Sequence, residues 1–495
     1  MEADESFEAV LDATATVEDL LEADEDVAHA EVGGVHRTLG DAVVDGDRVR
    51  SASDLVETGV WWRVFADGAA DYRYVTVLDD EHLADFVERS VRAARQLGQE
   101  RPARYDAGSM VRASHPGWAR RALDEPAEAV GDRLVAAVDE HLADLPTERV
   151  RVSYAGERVR TALSTLTGSA VTSTLDRVGV ETTLALPDAK LRDHLGGTTG
   201  GAVLDAVPDR LAALAAEARA AAAADAARTP EGSASVVLAP RAAGTLFHQL
   251  SHYLEADAVY LGSSDVEPGD RVGPEWLDVA DVVRPGSWAA MAYDAEARPT
   301  QPVELVADGV ARSRLHSTAS AAEEAATPAG SVVPAVGFEH PPRIHARHLD
   351  VEAGGTPLSA LCGDADLLVE RVGTPRLANE ATRTKRASQM PPSVLYAHEI
   401  AEQTPSEFGD EAADQVVELP VAVGYALADG ERAGRVTDAV LAVRLPDLRG
   451  LAGATPERAT TTGVCDKHDS RLPYAVTAPG VRLPADVRPR SRHNK

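Results

Sequence analysis

Two histidines separated by three residues lie in a segment whose spacing suits metal binding. The segment reads LFHQLSHYLEAD and contains His248 and His252. At about 100° per residue, helix positions four apart lie close to one face. Glu255 follows seven positions after His248, within about 20° of the same line on a continuous helix. Two imidazoles with a carboxylate or thiolate make a reasonable three-ligand zinc set that leaves a fourth position for water.

The residue after the first histidine departs from the zinc-peptidase pattern. In the HExxH arrangement, a glutamate at this position accepts a proton from the attacking water. Here the residue is Gln249, whose amide can orient a water but cannot take its proton. Losing a general base typically lowers a rate by about 10²–10⁴. Glu255 is therefore the candidate for a replacement base or an auxiliary ligand. A bare pair of histidines at this spacing also occurs on helices that bind no metal.

Other candidate residues carry weaker signals. The segment HPPRIHARHLD brings His340, His345 and His348 close together in sequence, but its prolines break any helical register. We therefore predict a solvated or substrate-lining loop rather than a second metal cluster. The pair His398 and Glu399 in YAHEI is typical of surface residues.

The elements around the histidines must hold them in place. SVVLAPRAAG predicts a short buried strand and a turn, leading into a helix that carries His248 and His252. Beyond Pro302, short strands broken by proline and glycine predict an antiparallel sheet or a partly closed barrel. We predict an α+β fold: a mixed α/β N-terminal domain, residues 1–228, followed by a β-rich C-terminal domain, residues 229–495.

The composition limits the classes of partner. The 495 residues include 80 acidic and 49 basic side chains, a net charge of −31. This acid-rich balance fits a cytoplasmic protein of a high-salt organism and argues against nucleic-acid binding, which needs a positive surface. Only two cysteines are present, so a disulfide framework is not expected. No signal-peptide pattern and no long apolar run is seen, and we predict no membrane association.

The histidine segment and its flanks resemble the TldD/TldE (PmbA) family of proposed zinc metalloproteases, once described as modulators of DNA gyrase. In the TldD branch the equivalent segment is a strand ending in Ala-Pro, a glycine, two apolar residues, an HExxxH motif and a Leu-Glu-Gly-Asp tail. The matching positions here are Val236–Pro240, Gly244, Leu246 and Leu254–Asp257.

Two later segments extend this resemblance. Residues Tyr293–Ser317 are similar to the family's Asp-Glu-Gly-x-Pro segment and the strand, turn and strand that follow it. TTTGVCDKHDSRLPYAVTAPGVRL is similar to its Gly-x-Cys-Gly-Lys segment, in which the cysteine is the third zinc ligand of TldD-type members. The matching residue is Cys465. The resemblance thus implies zinc held by His248, His252 and Cys465.

This chain departs from the family pattern in two ways. The family spacing is one residue longer, so one alignment matches His248 and His252 to both ligands and Gln249 to the glutamate. Aligned without a gap from the tail, Phe247 takes the first histidine's place and His248 the glutamate's. Either way the motif glutamate is absent. The glycine after the family's cysteine is replaced by Asp466.

The leading hypothesis is a zinc metallopeptidase that hydrolyses peptide bonds of unfolded peptides or proteins. Family members form dimers that enclose a cavity, and a TldD subunit often pairs with a TldE subunit, which implies a homodimer or heterodimer. The alternative is a catalytically inactive TldE-like subunit that contributes substrate recognition.

Overall fold

The computed structural model describes residues 2–96, 110–117, 125–145, 147–187, 189–260, 264–377, 416–468 and 470–489. Over these residues the chain forms two large sheets with helices packed against them, which confirms the α+β fold class. His398 and Glu399 lie outside the described residues. The predicted boundary near residue 228 falls between the strands of the two sheets and stays a prediction.

The first sheet has the strand order β3-β2-β1-β5-β6-β4, with β7 paired to β6. Its strands are antiparallel except that β4 runs parallel to β6. The predicted meander from residue 149 to 186 is observed as β5 and β6. The helices and strands that precede the second sheet are α1 (Glu2–Glu22), β1 (Val27–Asp45), β2 (Arg48–Ala66), β3 (Ala69–Val75), α2 (Asp80–Gln96), β4 (Arg112–His115), α3 (Ala127–Leu142), β5 (Arg149–Thr165), β6 (Ala170–Ala185), β7 (Lys190–Gly197), α4 (Gly200–Asp205) and α5 (Val207–Ala223).

The second sheet closes partly into a ring, which confirms the barrel-like prediction for the C-terminal half. Strands β8, β15, β17, β19 and β21 pair in that order, and β21 pairs back with β8. The elements of this half are β8 (Gly232–Leu238), α6 (Pro240–Ser251), α7 (Ala256–Tyr260), β9 (Val279–Asp281), β10 (Val303–Ala307), β11 (Val310–Ala311), α8 (Thr318–Glu323), β12 (Val332–Val333), β13 (Arg343–Ile344), β14 (His348–Val351), α9 (Leu358–Cys362), β15 (Leu367–Val372), β16 (Arg376–Leu377), β17 (Val416–Ala428), β18 (Glu431–Val436), β19 (Ala439–Arg444), β20 (Gly453–Lys467) and β21 (Ser470–Pro489).

A buried ion network joins the first sheet to the C-terminal half. Arg63 of β2 donates two hydrogen bonds to Glu31 of β1, at 2.6 and 2.7 Å, and one to Glu296, at 2.9 Å. The second oxygen of Glu296 accepts from the backbone N–H and the hydroxyl of Thr318. Because these charges are nearly inaccessible to water, the network fixes the two halves against each other through paired rather than free charges.

His29 makes the stability of this region sensitive to acid. Burial, with the positive charges of Arg63 and Arg298, lowers the pKa of His29 to about 3, although Glu31 lies 3.9 Å away. At a pH below 6.5, the usual pKa of histidine, this imidazole is protonated in the unfolded chain but not in the folded chain. The free energy of unfolding therefore decreases as the pH is lowered. The free energy of unfolding should decrease between pH 7.5 and pH 5, and we expect this decrease to be about 2 kcal/mol smaller in His29→Gln. Denaturant unfolding at both pH values measures this, and parallel pH curves for the two proteins would contradict it.

Helix α8 is followed by an alanine, Ala325, in the left-handed backbone conformation that glycine usually adopts. Ala325 has φ of +53°, and the next N–H, of Ala326, donates to Ala321 in the helix at 2.8 Å. This is the hydrogen bond of a Schellman cap, whose left-handed position favours glycine. We expect Ala325→Gly to raise the free energy of unfolding by about 0.5–1 kcal/mol. The matched control Ala322→Gly, inside the helix, should lower it by a similar amount. Equal effects of the two substitutions would refute the strain at Ala325.

Candidate metal centre

Helix α6 carries His248 and leads directly into the 3-10 turn that begins at His252. It begins at Pro240, where the fixed φ of proline suits the first helical turn. Its apolar side chains, among them Leu246 and Phe247, are buried with strands of the ring. Gly244 faces β20, and a Cβ at this position would lie 2.9 Å from the Thr461 hydroxyl. The missing side chain therefore lets α6 approach the strand that carries Cys465.

Four side chains from three separate segments converge beside α6. His248 lies on the helix, His252 begins the 3-10 turn that follows it, His345 comes directly after β13, and Cys465 lies on β20. One potential ligand atom of each lies within 4.8 Å of the others. The three imidazole centroids are 5.0–5.5 Å apart, and the Cys465 sulfur is 3.5 Å from Nε2 of His252. A group of this geometry could hold a metal ion.

Burial keeps the imidazoles of His248 and His345 neutral. It lowers the pKa of His248 and of His345 well below the usual value, and in both cases the neighbouring His252 acts in the same direction. A neutral imidazole has a free lone pair, which is the form that binds a metal. Both ring nitrogens of His248 and both of His345 are buried without a hydrogen-bond partner among the described residues. Such orphaned atoms are rare in protein interiors, and a metal ion would supply the missing partner.

The interatomic distances also suit zinc. With Zn–S near 2.3 Å and Zn–N near 2.0–2.1 Å, tetrahedral angles place a sulfur and a nitrogen ligand about 3.5 Å apart. This equals the 3.5 Å between Cys465 and His252. Three imidazoles and a thiol are ligands that zinc prefers, so the residues present fit this ion.

A buried chain of charges supports His252 from behind. Its Nδ1 lies 2.9 Å from Glu255, whose same oxygen accepts a hydrogen bond from Lys467 at 2.7 Å. Lys467 also pairs with Asp257 and donates to the carbonyl of Ile344. Burial acts to lower the pKa of Lys467, but the carboxylates of Asp257 and Glu255 outweigh it and raise that pKa. The ammonium therefore stays charged and holds both carboxylates in place.

Glu255 does not continue the helix of His248, although its spacing predicted that it would. The α-helix ends at Ser251 and Glu255 adopts an extended backbone after the 3-10 turn, so the helical phase assumed for it was wrong. The carboxylate lies on the Nδ1 side of His252, opposite the Nε2 that faces Cys465. Gln249 remains on α6 and is partly exposed. It is the residue next to His248, as the sequence requires.

Tyr474 fixes the orientation of His248. The two rings are stacked at 3.7 Å with an angle of 7°. Burial and the nearby Cys465 raise the pKa of the tyrosine, so its hydroxyl stays protonated. Tyr474 lies directly opposite Gly463 in the β20–β21 hairpin, and the same hairpin therefore supplies Cys465 and the ring that holds His248.

The structure brings together His248, His252 and Cys465 and adds His345, which the sequence analysis did not select. The interruption by Pro341 and Pro342 hid it, because no periodic pattern relates a loop residue to a helix far away in sequence. His340 is instead partly exposed on the wall of a cleft. His348 lies apart and contacts the hydroxyls of Ser287 and Thr477.

The two alignments left open by the histidine spacing are no longer equivalent. Both His248 and His252 face the cluster, whereas Phe247 packs in the hydrophobic core. This arrangement favours the alignment in which both histidines occupy ligand positions and Gln249 occupies that of the motif glutamate.

A cleft between the two sheets reaches the vicinity of the cluster. It encloses about 1050 Å³, open solvent included, and Trp61 forms part of its aromatic wall. The cluster itself does not line it. Leu472, the cross-strand partner of Cys465, packs against Met291 and Val333 of the cleft wall. The strand pair that carries Cys465 therefore contacts the cleft wall through Leu472.

The C-terminal half thus places His248 on a helix and His252 on the turn after it, beside a cysteine supplied by the ring of strands. Residues 231–384 match the family model of the PmbA/TldA metallopeptidase C-terminal domain. A search of curated proteins gives no sequence match. The match to the family model supports the resemblance seen in the sequence for residues 231–384, which are similar to the PmbA/TldA metallopeptidase C-terminal domain.

Solved structures share this fold over nearly the whole chain. A proposed modulator of a DNA gyrase from Thermotoga maritima has 17% identity and a TM-score of 0.69, covering 95% of this chain and 99% of its own. A second proposed modulator of DNA gyrase, from Bacteroides thetaiotaomicron, has 13% identity and a TM-score of 0.69, with 99% and 100% covered. TldE from Thermococcus kodakarensis has 13% identity and a TM-score of 0.64, with 97% and 99% covered.

Among the described residues, none of the helices combines the length and the apolar character that a bilayer-spanning segment needs.

Proposed function

We propose that this chain is a zinc-binding subunit of a TldD/TldE-type metallopeptidase that acts on peptides or unfolded proteins. The observation that supports this most is the convergence of His248, His252 and Cys465, together with the buried ring nitrogens of His248, which have no hydrogen-bond partner among the described residues. Zinc held there with one coordination position open to water would polarise a peptide carbonyl and activate water for its hydrolysis.

The protein's own groups prepare the site in distinct ways. Burial keeps His248 neutral, and the ring of Tyr474 holds it in one orientation. Glu255 accepts a hydrogen bond from Nδ1 of His252 and so directs Nε2 toward the cluster, as carboxylates commonly do for metal-binding histidines. Lys467 neutralises Glu255 without touching the cluster.

Of the two roles considered for such a subunit, the geometry favours the catalytically inactive TldE-like partner over a peptidase that works alone. Gln249 cannot accept a proton. Glu255 points away from the cluster side of His252 and is engaged by Lys467. A chain without a positioned base would hydrolyse peptides about 10²–10⁴ times more slowly than a complete site. We infer that it assembles with a TldD-type subunit and contributes to substrate recognition.

Zinc content and peptide cleavage together test this function. The protein, purified in high salt without chelators, should contain about one zinc per chain by elemental analysis. Cleavage of an unstructured peptide should be negligible for the chain alone and appear when a TldD-type subunit with an intact HExxxH motif is added, together with a heterodimer in light scattering. Absence of zinc would overturn the proposal, and rapid cleavage by the chain alone would overturn the inactive role.

Cys465→Ala tests the cysteine as a ligand. Because a thiolate is a strong zinc ligand, we expect the variant to retain much less than one zinc per chain after dialysis against a weak chelator. Cys362→Ala is the control, since Cys362 is the other free cysteine and is buried in a separate apolar cluster. It should keep its zinc, and equal zinc content in the two variants would exclude Cys465 from the site.

A further inference from the structure

His345 has no evident structural reason to be a histidine. It is completely buried, and neither ring nitrogen has a hydrogen-bond partner among the described residues. An imidazole N–H removed from water without a partner costs about 1–3 kcal/mol. A leucine would fill the same space without this cost. The His345 ring instead lies 5.5 Å from each of the His248 and His252 rings, centroid to centroid.

The backbone that carries His345 is fixed to the rest of the site. Lys467 donates to the carbonyl of the preceding residue, Ile344, and to the Glu255 carboxylate that bonds His252. The N–H of His345 donates to Ser331 at 3.0 Å. One buried ammonium therefore sets the positions of two imidazoles, from the loop after β13 and from the end of α6.

We propose that His345 is a fourth protein ligand of the zinc site, which closes the coordination sphere against water. The proposal rests on the proposed zinc binding by His248, His252 and Cys465. Four protein ligands are the mark of a structural zinc site, whereas hydrolytic sites keep one position open. The ion would then stabilise the fold around α6 and the β20–β21 hairpin. Together with Gln249, this closure accounts for a metal site retained in an inactive subunit.

Cobalt substitution gives a readout that does not depend on peptide cleavage. Cobalt(II) should bind at one ion per chain. In the cobalt-loaded protein with its natural sequence, the visible spectrum should not change on addition of azide. In His345→Ala the open position should admit azide and shift the spectrum. Competition with a chelator should show zinc bound at least about tenfold more weakly by this variant, comparable to the loss of other supporting groups at metal sites.

Two further variants protect the test against misfolding. His345→Gln keeps most of the side-chain volume, and we expect it to respond to azide as His345→Ala does, with circular dichroism unchanged. His340→Ala, a partly exposed histidine of the same loop, should behave as the unsubstituted protein. An azide response of the unsubstituted protein, with zinc affinity unchanged in His345→Ala, would overturn the fourth ligand while leaving zinc binding intact. Failure of the protein with its natural sequence to bind cobalt or zinc would instead overturn the proposed function itself.

Discussion

Lys467→Met is expected to lower the free energy of unfolding by about 3–5 kcal/mol, the cost of removing one partner from a buried ionic network. The substitution leaves the carboxylates of Glu255 and Asp257 buried without their cation. It also frees the carbonyl of Ile344 and the carboxylate behind His252. We therefore expect zinc affinity to fall by about 10–100-fold as well. Denaturant unfolding and chelator competition measure the two effects.

Arg92→Met is the matched control for this substitution. Arg92 pairs with Glu88 on α2, and both side chains are more than half exposed. An exposed pair at this helical spacing contributes about 0.3–0.5 kcal/mol. If Lys467→Met were no more destabilising than Arg92→Met, the buried charges would not be stabilised by this lysine. Unchanged zinc affinity in Lys467→Met would show that Lys467 does not support zinc binding.

Restoring the missing base is expected to produce the largest change in rate. A glutamate at position 249 can accept a proton, and a general base contributes about 10²–10⁴-fold. If His345 occupies the fourth position, Gln249→Glu alone should have little effect. We expect the combined variant, Gln249→Glu with His345→Ala, to cleave an unstructured peptide about 10²-fold or more faster than His345→Ala alone.

The control for the restored base is a second substitution at position 249. Gln249→Met, similar in volume and unable to accept a proton, should give no increase in the His345→Ala background. Zinc content must be equal among the compared proteins, since unequal loading would mimic a change in rate. Equal rates with glutamate and methionine at position 249 would show that the position is not that of the base.

Local patterns in the sequence predicted much of the fold. The alternation between residues 149 and 186 and the strand before Pro240 correspond to observed strands, because side-chain period reflects burial on one face. The pairing of β21 with β8, which closes the ring, has no local signature. It depends on which distant strand edges meet, a property of the whole fold.

The same division applies to the site. His248 and His252 were found from helical spacing, and Cys465 from a family motif rather than from its surroundings. His345 lacked both signals. The phase argument for Glu255 was wrong because the helix ends four residues earlier, at Ser251. Its actual contact with His252 depends on a turn, and spacing along a helix cannot predict a turn that breaks the helix.

The separation of the proposed zinc ligands along the chain has a consequence for synthesis. His252 and Cys465 are 213 residues apart, so the strand pair that carries the cysteine is synthesised long after α6. A growing chain therefore exposes two histidines long before their thiol partner exists. The complete ion-binding arrangement can form only after the ring has closed, so bound metal would mark the chains that have finished folding.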